Sequence, residues 1–233
     1  MFVQKRGCMM LDLGGELAYF YPGHPFDNQN GSILWCLETQ LPAGKNFLDI
    51  GANVGSWTIP YAASEKCAHV YAWEPQVGTR ECTLAGLAVN GLTRKATVFA
   101  EALGEPEQRG EMDLNIFTEE GGASSLHRDV GPGGPAGTWA WTRVEKVPVK
   151  CLDDYGLTNV GFIKLDVESN ELEVLRGAVE TLKVNSYPPI FFEAWDWPWY
   201  LKKKAALFAF IESLGYRIHP IIGCTADFLA VRP

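Results

Sequence analysis

The sequence FLDIGANVGSWT at residues 47–58 constrains the fold most, because an apolar strand pattern runs directly into a turn that contains two glycines. Phe47, Leu48 and Ile50 have the pattern of a buried strand. Gly51 can adopt backbone angles that other residues avoid, and it lets a ligand approach the main chain. A strand, a glycine turn and a helix in this order predict a nucleotide-handling unit of a parallel sheet.

The spacing of the glycines indicates which kind of nucleotide cofactor the turn can bind. The pattern is G-x-N-x-G, with Asn53 where the dinucleotide fingerprint has its second glycine and Gly55 where the next helix would begin. Because the fingerprint needs that second glycine, the turn predicts a cofactor other than NAD. An NAD-dependent dehydrogenase is therefore disfavoured.

The length and composition are those of one globular domain. The chain has 233 residues, of which 47% are hydrophobic and 21% are charged, and these values are typical of an ordinary soluble protein. We divide the domain into an N-terminal helical cap, residues 1–45, and a catalytic core, residues 46–233. The helix of the cap is predicted over Ser32–Leu41, where a serine precedes apolar residues at helical spacing.

The net charge and the cysteines indicate which binding partners and which cellular compartment to expect. The formal net charge of −8 argues against a nucleic-acid partner, since such proteins usually carry a basic face. Six cysteines without a C-x-x-C pair fit neither a zinc site nor a disulfide framework, which predicts a reduced, cytoplasmic protein. The start, MFVQKRGCMMLDLGG, lacks the apolar core of a signal peptide, and no run approaches the roughly 20 apolar residues of a membrane span.

Strand and helix signals alternate from residue 46 onward. Such repeated units predict an α/β fold, a mostly parallel sheet with helices on both faces. The chain closes with two strand patterns, YRIHPII and TADFLAVR, which have no helix between them and predict a C-terminal antiparallel hairpin. A segment rich in Gly, Ser and Pro, Glu119–Thr138, interrupts the alternation and is either a lid over a site or a surface excursion.

Acidic residues follow most of the predicted strands. Ligands in such sheets bind beyond the carboxyl ends of the strands, and carboxylates are seldom buried without partners. The residues at these ends are Asp49, Glu74 followed by Pro75, Glu101 followed by Ala102, Asp166, Glu168, Glu193 and Asp196. The sequence therefore places the site at this edge of the sheet.

Glu74 and Asp49 indicate the chemistry of the cofactor. An acid at the end of the second strand can accept both hydroxyls of a ribose, which suits any adenosine-type cofactor. Asp49 would repel a phosphate but would suit the cationic sulfonium and the amino group of S-adenosyl-L-methionine. The alternative is that Asp49 only caps the following helix.

Seven motifs in order resemble the FkbM family of S-adenosylmethionine-dependent methyltransferases. They are FLDIGANVGSWT, YAWEPQ, VNGL, EALGE, GGASSL, FIKLDVESNELEVLRGA and IFFEAWD, and they cover about Phe47 to Glu193. The resemblance implies a class I methyltransferase (Rossmann-like) fold with seven strands and O-methylation of sugar or polyketide hydroxyls. The family usually has glycine after the Glu of its KxDxEG motif, whereas Ser169 and Asn170 follow Glu168 here. Since Asn tolerates left-handed angles, we expect the tightest point of this turn to move to Asn170.

The predicted cofactor-binding residues combine the strand ends with the resemblance. They are Asp49, Gly51, Asn53, Gly55, Glu74, Pro75, Glu101, Ala102 and Asp166.

The predicted catalytic residues must activate a hydroxyl that is a poor nucleophile while it is protonated. Asp166 ends the strand that faces the transferred methyl group, so it is the first candidate for the base; alternatively it only bonds to backbone at the strand end. Lys164 shares its face of the strand and either orients it or is structural. His24 and His127 lie in segments able to cover the site, and His24 is kept as a second base. Asp166 and Glu193 are also predicted to share Mg²⁺ or Mn²⁺, which prefer oxygen ligands.

The predicted acceptor-binding residues are Ser124, Ser125, Glu168, Trp195 and Trp197. The two tryptophans belong to EAWDWPWY, where aromatic faces can stack on a sugar ring. The alternative is a hydrophobic elbow that starts the last helix. These residues predict a carbohydrate or a glycosylated small molecule as the partner.

The sequence therefore predicts an S-adenosylmethionine-dependent O-methyltransferase that acts on a sugar hydroxyl of a glycan, glycolipid or natural product. One alternative is a nucleic-acid or other small-molecule methyltransferase, although DVES stands where a D/N-P-P-Y motif would be. Another is a non-catalytic S-adenosylmethionine-binding module, which would have no need to keep acids at Asp166 and Glu193.

Overall fold

The structure is a computed structural model that describes residues 2–5, 8–11, 19–21, 30–116, 124–127, 142–222, 224 and 226–233. The strands are β1 (Phe2–Lys5), β2 (Cys8–Leu11), β3 (Tyr19–Tyr21), β4 (Lys45–Ile50), β5 (Cys67–Trp73), β6 (Ala96–Phe99), β7 (Ala102–Leu103), β8 (Gly110–Ile116), β9 (Arg143–Lys150), β10 (Val160–Leu165), β11 (Ile190–Glu193), β12 (Arg217–Pro220) and β13 (Asp227–Val231). The helices are α1 (Asn30–Gln40), α2 (Thr58–Ala63), α3 (Val77–Val89), α4 (Glu171–Arg176), α5 (Val179–Val184) and α6 (Leu201–Ser213). No helix in these ranges has the length and apolar character needed to cross a membrane.

Seven strands form the central sheet, in the order β12-β13-β11-β10-β4-β5-β6. The strands from β11 to β6 run parallel, whereas β13 runs antiparallel to both β11 and β12. This confirms the predicted α/β sheet and its C-terminal antiparallel hairpin. The strand order reverses between β4 and β10, and ligands of such sheets bind beyond the strand ends at this reversal.

Apolar side chains alternate between the two faces of the sheet. On one face, Phe47 stacks on Tyr61 of α2 with ring centroids 3.8 Å apart, and residues of α1 and α3 complete this layer. On the other face, Leu48 and Ile163 pack with residues of α4, α5 and α6. Full burial of one such side chain contributes about 1.5–3 kcal/mol. The prediction of helices on both faces is therefore confirmed.

The N-terminal region differs from the helical cap expected for residues 1–45. Helix α1 lies where a helix was predicted, but the described residues before it form an antiparallel sheet in the order β1-β2-β3. In this sheet Lys5 pairs with Cys8 and Phe2 pairs with Leu11. The division into a cap and a core remains a prediction.

The segment ATVFAEALG, residues 96–104, is divided between two sheets. Strand β6 pairs with β5 only as far as Phe99, the partner of Trp73 at the end of β5. Beyond that point β5 offers no further partner, and β7 pairs instead with β9 in a three-stranded sheet of order β7-β9-β8. Strands β8 and β9 of this sheet pair antiparallel with each other.

Gly51 is the point where the turn after β4 comes closest to the strand beside it. Its φ is 82°, and a Cβ there would lie 1.8 Å from the main-chain oxygen of Asp166. We expect Gly51→Ala to lower the free energy of unfolding by at least about 2 kcal/mol, because backbone has to move and the angle is strained. Denaturant unfolding measures this.

Gly78→Ala is the matched control, because nothing lies within 4 Å of the added methyl group in α3. It should leave the stability unchanged or raise it by up to about 1 kcal/mol, since alanine favours a helix over glycine. Equal stability of the Gly51→Ala variant and the unsubstituted protein would contradict the close approach described above.

Candidate active site

The glycine turn after β4 is held against the end of β5. Gly51, Asn53 and Gly55 have φ values of 82°, 50° and 86°, and the N–H groups of Gly51 and Ala52 both donate to the carbonyl of Trp73. The left-handed angle at Asn53 is one that Asn tolerates better than most residues. These hydrogen bonds and backbone angles therefore fix the conformation of the turn Gly51–Gly55 beyond the strand ends. We call this turn the cradle.

Glu74 closes this cradle from the end of β5. One carboxylate oxygen accepts the N–H of Asn53 at 2.7 Å and the other accepts the N–H of Gln76 at 2.9 Å. Burial raises the pKa of this carboxyl, and the two backbone N–H groups oppose the rise. A carboxylate offers about four lone-pair sites, so Glu74 can still accept a hydroxyl group of a ligand. Pro75 follows it, and the Pro75 carbonyl is engaged by the Arg80 guanidinium.

Asp49 is fully buried under the turn. Its Oδ2 accepts the hydroxyl of Thr58 at 2.5 Å, so the carboxylate also supports the start of α2. Its Oδ1 is buried and has no hydrogen-bond partner among the described residues. Burial raises the pKa of Asp49, while Lys164 and Thr58 oppose the rise. Asp49 therefore has a structural role at α2, and its Oδ1 faces the Lys164 ammonium at 3.7 Å without accepting a hydrogen bond from a described residue.

Lys164 joins the turn to the acids at the end of β10. Its Nζ donates to the carbonyl of Gly51 at 2.5 Å and lies 3.3 Å from Asp166 and 3.7 Å from Asp49. Burial alone would lower the pKa of Lys164, but the two carboxylates outweigh it and the pKa is raised. The side chain is 4% exposed, so a charged ammonium group neutralises part of the acidic interior.

Three carboxylates meet at the ends of β10 and β11. Oxygens of Asp166, Glu168 and Glu193 all lie within 4.8 Å of one another. Burial and the carboxylates of Asp166 and Glu168 raise the pKa of Glu193 to about 10, and burial with Asp166 also raises the pKa of Glu168. The structure thus brings Glu168, which was predicted to bind the acceptor, into the group that was predicted to hold a metal ion.

Asp227 extends this acidic row and was missed in the sequence. It pairs directly with Glu193 across β11 and β13, which places the two side chains on the same face of the sheet. Burial raises the pKa of Asp227, the Cys224 side chain opposes the rise, and Asp166 adds to it. Only the antiparallel register of β13 against β11 reveals this neighbour, so the sequence offered no signal beyond an acid at the start of a strand.

The loop after β10 corrects the expectation for the turn at Asn170. Glu168 and Ser169 have φ values of 55° and 85°, while Asn170 has an ordinary φ of −108°. The left-handed residues are therefore Glu168 and Ser169, and Ser169 stands at the position where the family usually has glycine.

Glu171, which sequence reasoning also missed, explains how this strain is held. Its Oε1 accepts the N–H groups of Val167 and Ser169, and its Oε2 accepts the hydroxyl of Tyr200 at 2.9 Å.

Residues Ser124–His127, hereafter the strap, cross between the two halves of the site. Ser124 donates to Gln76 Oε1 at 2.8 Å, and Ser125 donates to the carbonyl of Glu168 at 2.6 Å. The Nε2 of His127 lies 3.0 Å from Asn170 Oδ1. Ser124 and Ser125 therefore lie beside the predicted site and bond to its protein groups. The rest of Glu119–Thr138 lies outside the described residues, and the lid remains a prediction.

The remaining predicted site residues have no described contact with the glycine turn or the carboxylate cluster that would assign them a role. Glu101 lies 2.6 Å from Lys150, which outweighs burial and lowers the pKa of that acid, and Ala102 begins β7; their contact with a cofactor stays a prediction. His24 lies outside the described residues. Trp195 packs against the core, whereas Trp197 is 40% exposed, and their ring centroids are 6.4 Å apart.

The titration of Glu171 gives a test of this geometry. Burial raises its pKa from 4.5 to about 7. Protonation therefore favours folding, and the contribution of Glu171 to the free energy of unfolding falls by about 3 kcal/mol as the pH rises from about 4.5 to 7. Glu171→Gln removes this contribution.

We expect the stability deficit of Glu171→Gln to be larger at pH 5 than at pH 8, measured by urea unfolding of metal-free protein. Glu180→Gln is the control, because Glu180 is exposed on α5. A deficit that stays constant or grows toward pH 8 would contradict the raised pKa.

Comparison with solved structures supports this description of the fold. One similar structure is Methyltransferase FkbM from Methylobacillus flagellatus KT, with 18% identity and a TM-score of 0.52 over 80% of this chain and 43% of that chain. A second is precorrin-6y C5,15-methyltransferase from Geobacter metallireducens GS-15, with 15% identity and a TM-score of 0.53 over 91% and 92%. A third is the T. thermophilus 16S rRNA methyltransferase RsmC in complex with AdoMet and guanosine, with 14% identity and a TM-score of 0.51 over 97% and 50%.

These identities show a shared fold and nothing finer, and the chain spans less than half the length of the FkbM structure. No curated protein matches the chain. The family pattern described as Methyltransferase FkbM domain matches residues 49–218, which include the glycine turn, Glu74 and the three clustered carboxylates. The chain therefore belongs to the FkbM methyltransferase family.

Proposed function

We propose that this protein is an S-adenosyl-L-methionine-dependent O-methyltransferase that acts on a sugar hydroxyl of a glycan, glycolipid or natural product with the help of Mg²⁺ or Mn²⁺. The observation that carries the proposal is the link through Lys164 between the glycine turn and the carboxylate cluster. One side of this link suits a cofactor, and the other suits the hydroxyl that receives the methyl group.

The residues around the turn fit the cofactor. Three polar atoms there are buried and lack hydrogen-bond partners in the described part of the chain: Asp49 Oδ1, Asn53 Oδ1 and Gln76 Nε2. Buried polar atoms in native proteins are nearly always paired, so these atoms favour a missing polar ligand. Asp49 suits a cationic sulfonium or amino group, and Glu74 suits ribose hydroxyls. The AdoMet bound to the similar T. thermophilus enzyme supports this choice.

The carboxylate cluster fits a hard divalent cation. Asp166, Glu168 and Glu193 offer three oxygens within 4.8 Å of one another, and oxygen ligands suit Mg²⁺ and Mn²⁺. Without a cation, the carboxylates repel one another, which is one cause of the raised pKa of Glu193. A bound divalent ion would supply an electrophile that makes a nearby hydroxyl more acidic.

The residues of the chain then have separate tasks in methyl transfer. The bound cofactor supplies the methyl group. Asp166 receives the proton of the acceptor hydroxyl, and the Lys164 ammonium lies 3.3 Å from Asp166 and positions it. Trp197, which is 40% exposed, offers a flat apolar surface for the ring of a sugar. Much of the rate then comes from alignment of the hydroxyl oxygen with the methyl group.

The negative net charge supports the proposed carbohydrate partner, and the cysteines support the proposed cytoplasmic location. A net charge of −8 suits a neutral carbohydrate better than a nucleic acid. Three of the described cysteines, Cys36, Cys67 and Cys151, are buried free thiols, which fits a reducing, cytoplasmic environment. Methyl transfer to total RNA, with no transfer to glycans, would instead favour a nucleic-acid methyltransferase.

Calorimetry with S-adenosylmethionine, S-adenosylhomocysteine and NAD tests the cofactor. We expect the first two to bind with dissociation constants in the low micromolar range, near −8 kcal/mol. Glu74→Ala should cost about 1.5–3 kcal/mol, the range for hydrogen bonds to a charged group. Glu81→Ala, at an exposed position of α3, should bind like the unsubstituted protein. Tight NAD binding without S-adenosylmethionine binding would overturn the proposal.

Activity after chelation and in Asp166→Asn tests the carboxylate cluster. We expect EDTA to remove activity and Mn²⁺ to restore it. Asp166→Asn keeps the shape of the side chain but removes its charge, so it should lower turnover by about 10²–10⁴ with little change in cofactor affinity. The control Asp113→Asn changes an acid on β8 that pairs with Lys146. Full activity in EDTA would leave Asp166 as a simple base, and full activity of Asp166→Asn would remove its catalytic role.

A further inference from the structure

The strap touches both halves of the site through separate side chains. Ser124 bonds to Gln76, which follows the ribose-binding candidate Glu74 by two residues. Ser125 bonds to the carbonyl of Glu168, one of the clustered carboxylates. Two neighbouring residues of one short segment therefore connect the cofactor side to the acid side.

Gln76 is the residue that joins the strap to the cofactor cradle. It is 1% exposed, and its N–H donates to Glu74 Oε1. Its side-chain oxygen accepts the Ser124 hydroxyl, but its Nε2 is buried without a partner in the described residues. An amide whose oxygen is engaged has a fixed direction for its nitrogen, so one buried donor is left beside the cradle.

The other end of the strap supports a strained loop. The Ser125 hydroxyl holds the carbonyl of Glu168, whose φ of 55° is unusual for a residue other than glycine. The main chain of Ser125 also pairs with Asn115 of β8 in both directions, at 2.8 and 3.0 Å. His127 adds a contact to Asn170 just after the strained residues. The position of Glu168 therefore depends on where the strap sits.

We propose that Gln76 is a positioning residue that couples occupancy of the cofactor cradle to the docking of the strap, and through Ser125 to the placement of Glu168. The inference rests on the proposed function, because it needs an S-adenosyl cofactor in the cradle. An acceptor atom of the cofactor nucleoside that takes the hydrogen bond from Nε2 fixes the amide plane. The fixed amide then presents Oε1 to Ser124, so the strap docks more firmly when the cofactor is bound.

Coupling of this kind works equally in both directions. If the cofactor strengthens docking of the strap by some factor, removal of the strap contact weakens cofactor binding by the same factor. Ser124→Ala removes the contact and leaves Gln76 in place. A merely structural role of Gln76 would change stability without linking these two measurements.

Amide hydrogen exchange with S-adenosylhomocysteine as the probe tests the coupling. The Ser125 N–H, which bonds to the Asn115 carbonyl, reports docking of the strap, and the Gly44 N–H, which bonds to the Lys66 carbonyl, reports general stabilisation by ligand. At saturation we expect exchange at Ser125 to slow at least about fivefold beyond any change at Gly44, the factor for one hydrogen bond of about 1 kcal/mol. In Gln76→Met at matched occupancy, the extra slowing should vanish.

Calorimetry on Ser124→Ala completes the test. In Ser124→Ala, the affinity for S-adenosylhomocysteine should be lower than in the unsubstituted protein. The factor should equal, within about twofold, the extra slowing of exchange that this ligand causes at Ser125 in the unsubstituted protein. Ser213→Ala is the control, because it removes an exposed hydroxyl on α6 that bonds only locally to Phe210. Its affinity should be unchanged.

The outcomes separate the coupling from the proposed function. If the unsubstituted protein does not bind S-adenosylhomocysteine, the proposed function fails and the coupling with it. If it binds but Ser125 is slowed no more than Gly44, or is slowed equally in Gln76→Met, the coupling alone is wrong. Unchanged affinity in Ser124→Ala together with strong slowing at Ser125 would also overturn it.

Discussion

A buried ammonium group between two carboxylates is the interaction on which the site depends. Lys164 lies 3.7 Å from Asp49 and 3.3 Å from Asp166, and it donates to the carbonyl of Gly51. One side chain thus fixes the glycine turn of β4 relative to the end of β10. It also offsets part of the negative charge that would otherwise be buried at the strand reversal, where isolated charges are costly. A site rich in carboxylates can form here because Lys164 is present.

Close backbone packing and local strain set the remaining geometry. Gly51 leaves no room for a Cβ beside the main chain of Asp166, and the next loop holds Glu168 and Ser169 at left-handed angles. Such strain persists only where surrounding contacts determine the conformation. Here the buried carboxylate of Glu171 and the hydroxyl of Ser125 provide those contacts. The clustered acids are therefore held by neighbours that do not belong to the cluster.

The sequence predicted the residues that belong to single strand–turn–helix units. The glycine turn, Glu74 and Asp166 all follow strands whose apolar pattern is clear, so their common edge followed from the topology. Residues whose roles depend on a neighbouring segment were not found. Asp227 meets Glu193 only through the register of an antiparallel pair, and the expectation for Asn170 failed because the Glu171 carboxylate holds the N–H of Ser169 instead.

Local pattern and tertiary contact therefore determined different things. The sequence by itself determined the α/β class, the family and the edge of the sheet where the acids gather, because strand periodicity and glycine turns act over a few residues. Only the tertiary structure decided that Glu168 joins Asp166 and Glu193, that Ser124 meets Gln76, and that Glu101 pairs with Lys150. Apart from Asp166 and Glu168, which are neighbours in one loop, these contacts join residues 25 or more positions apart. Hydrogen-bond and charge partners at such separations are set by strand register and loop packing, which no local pattern encodes.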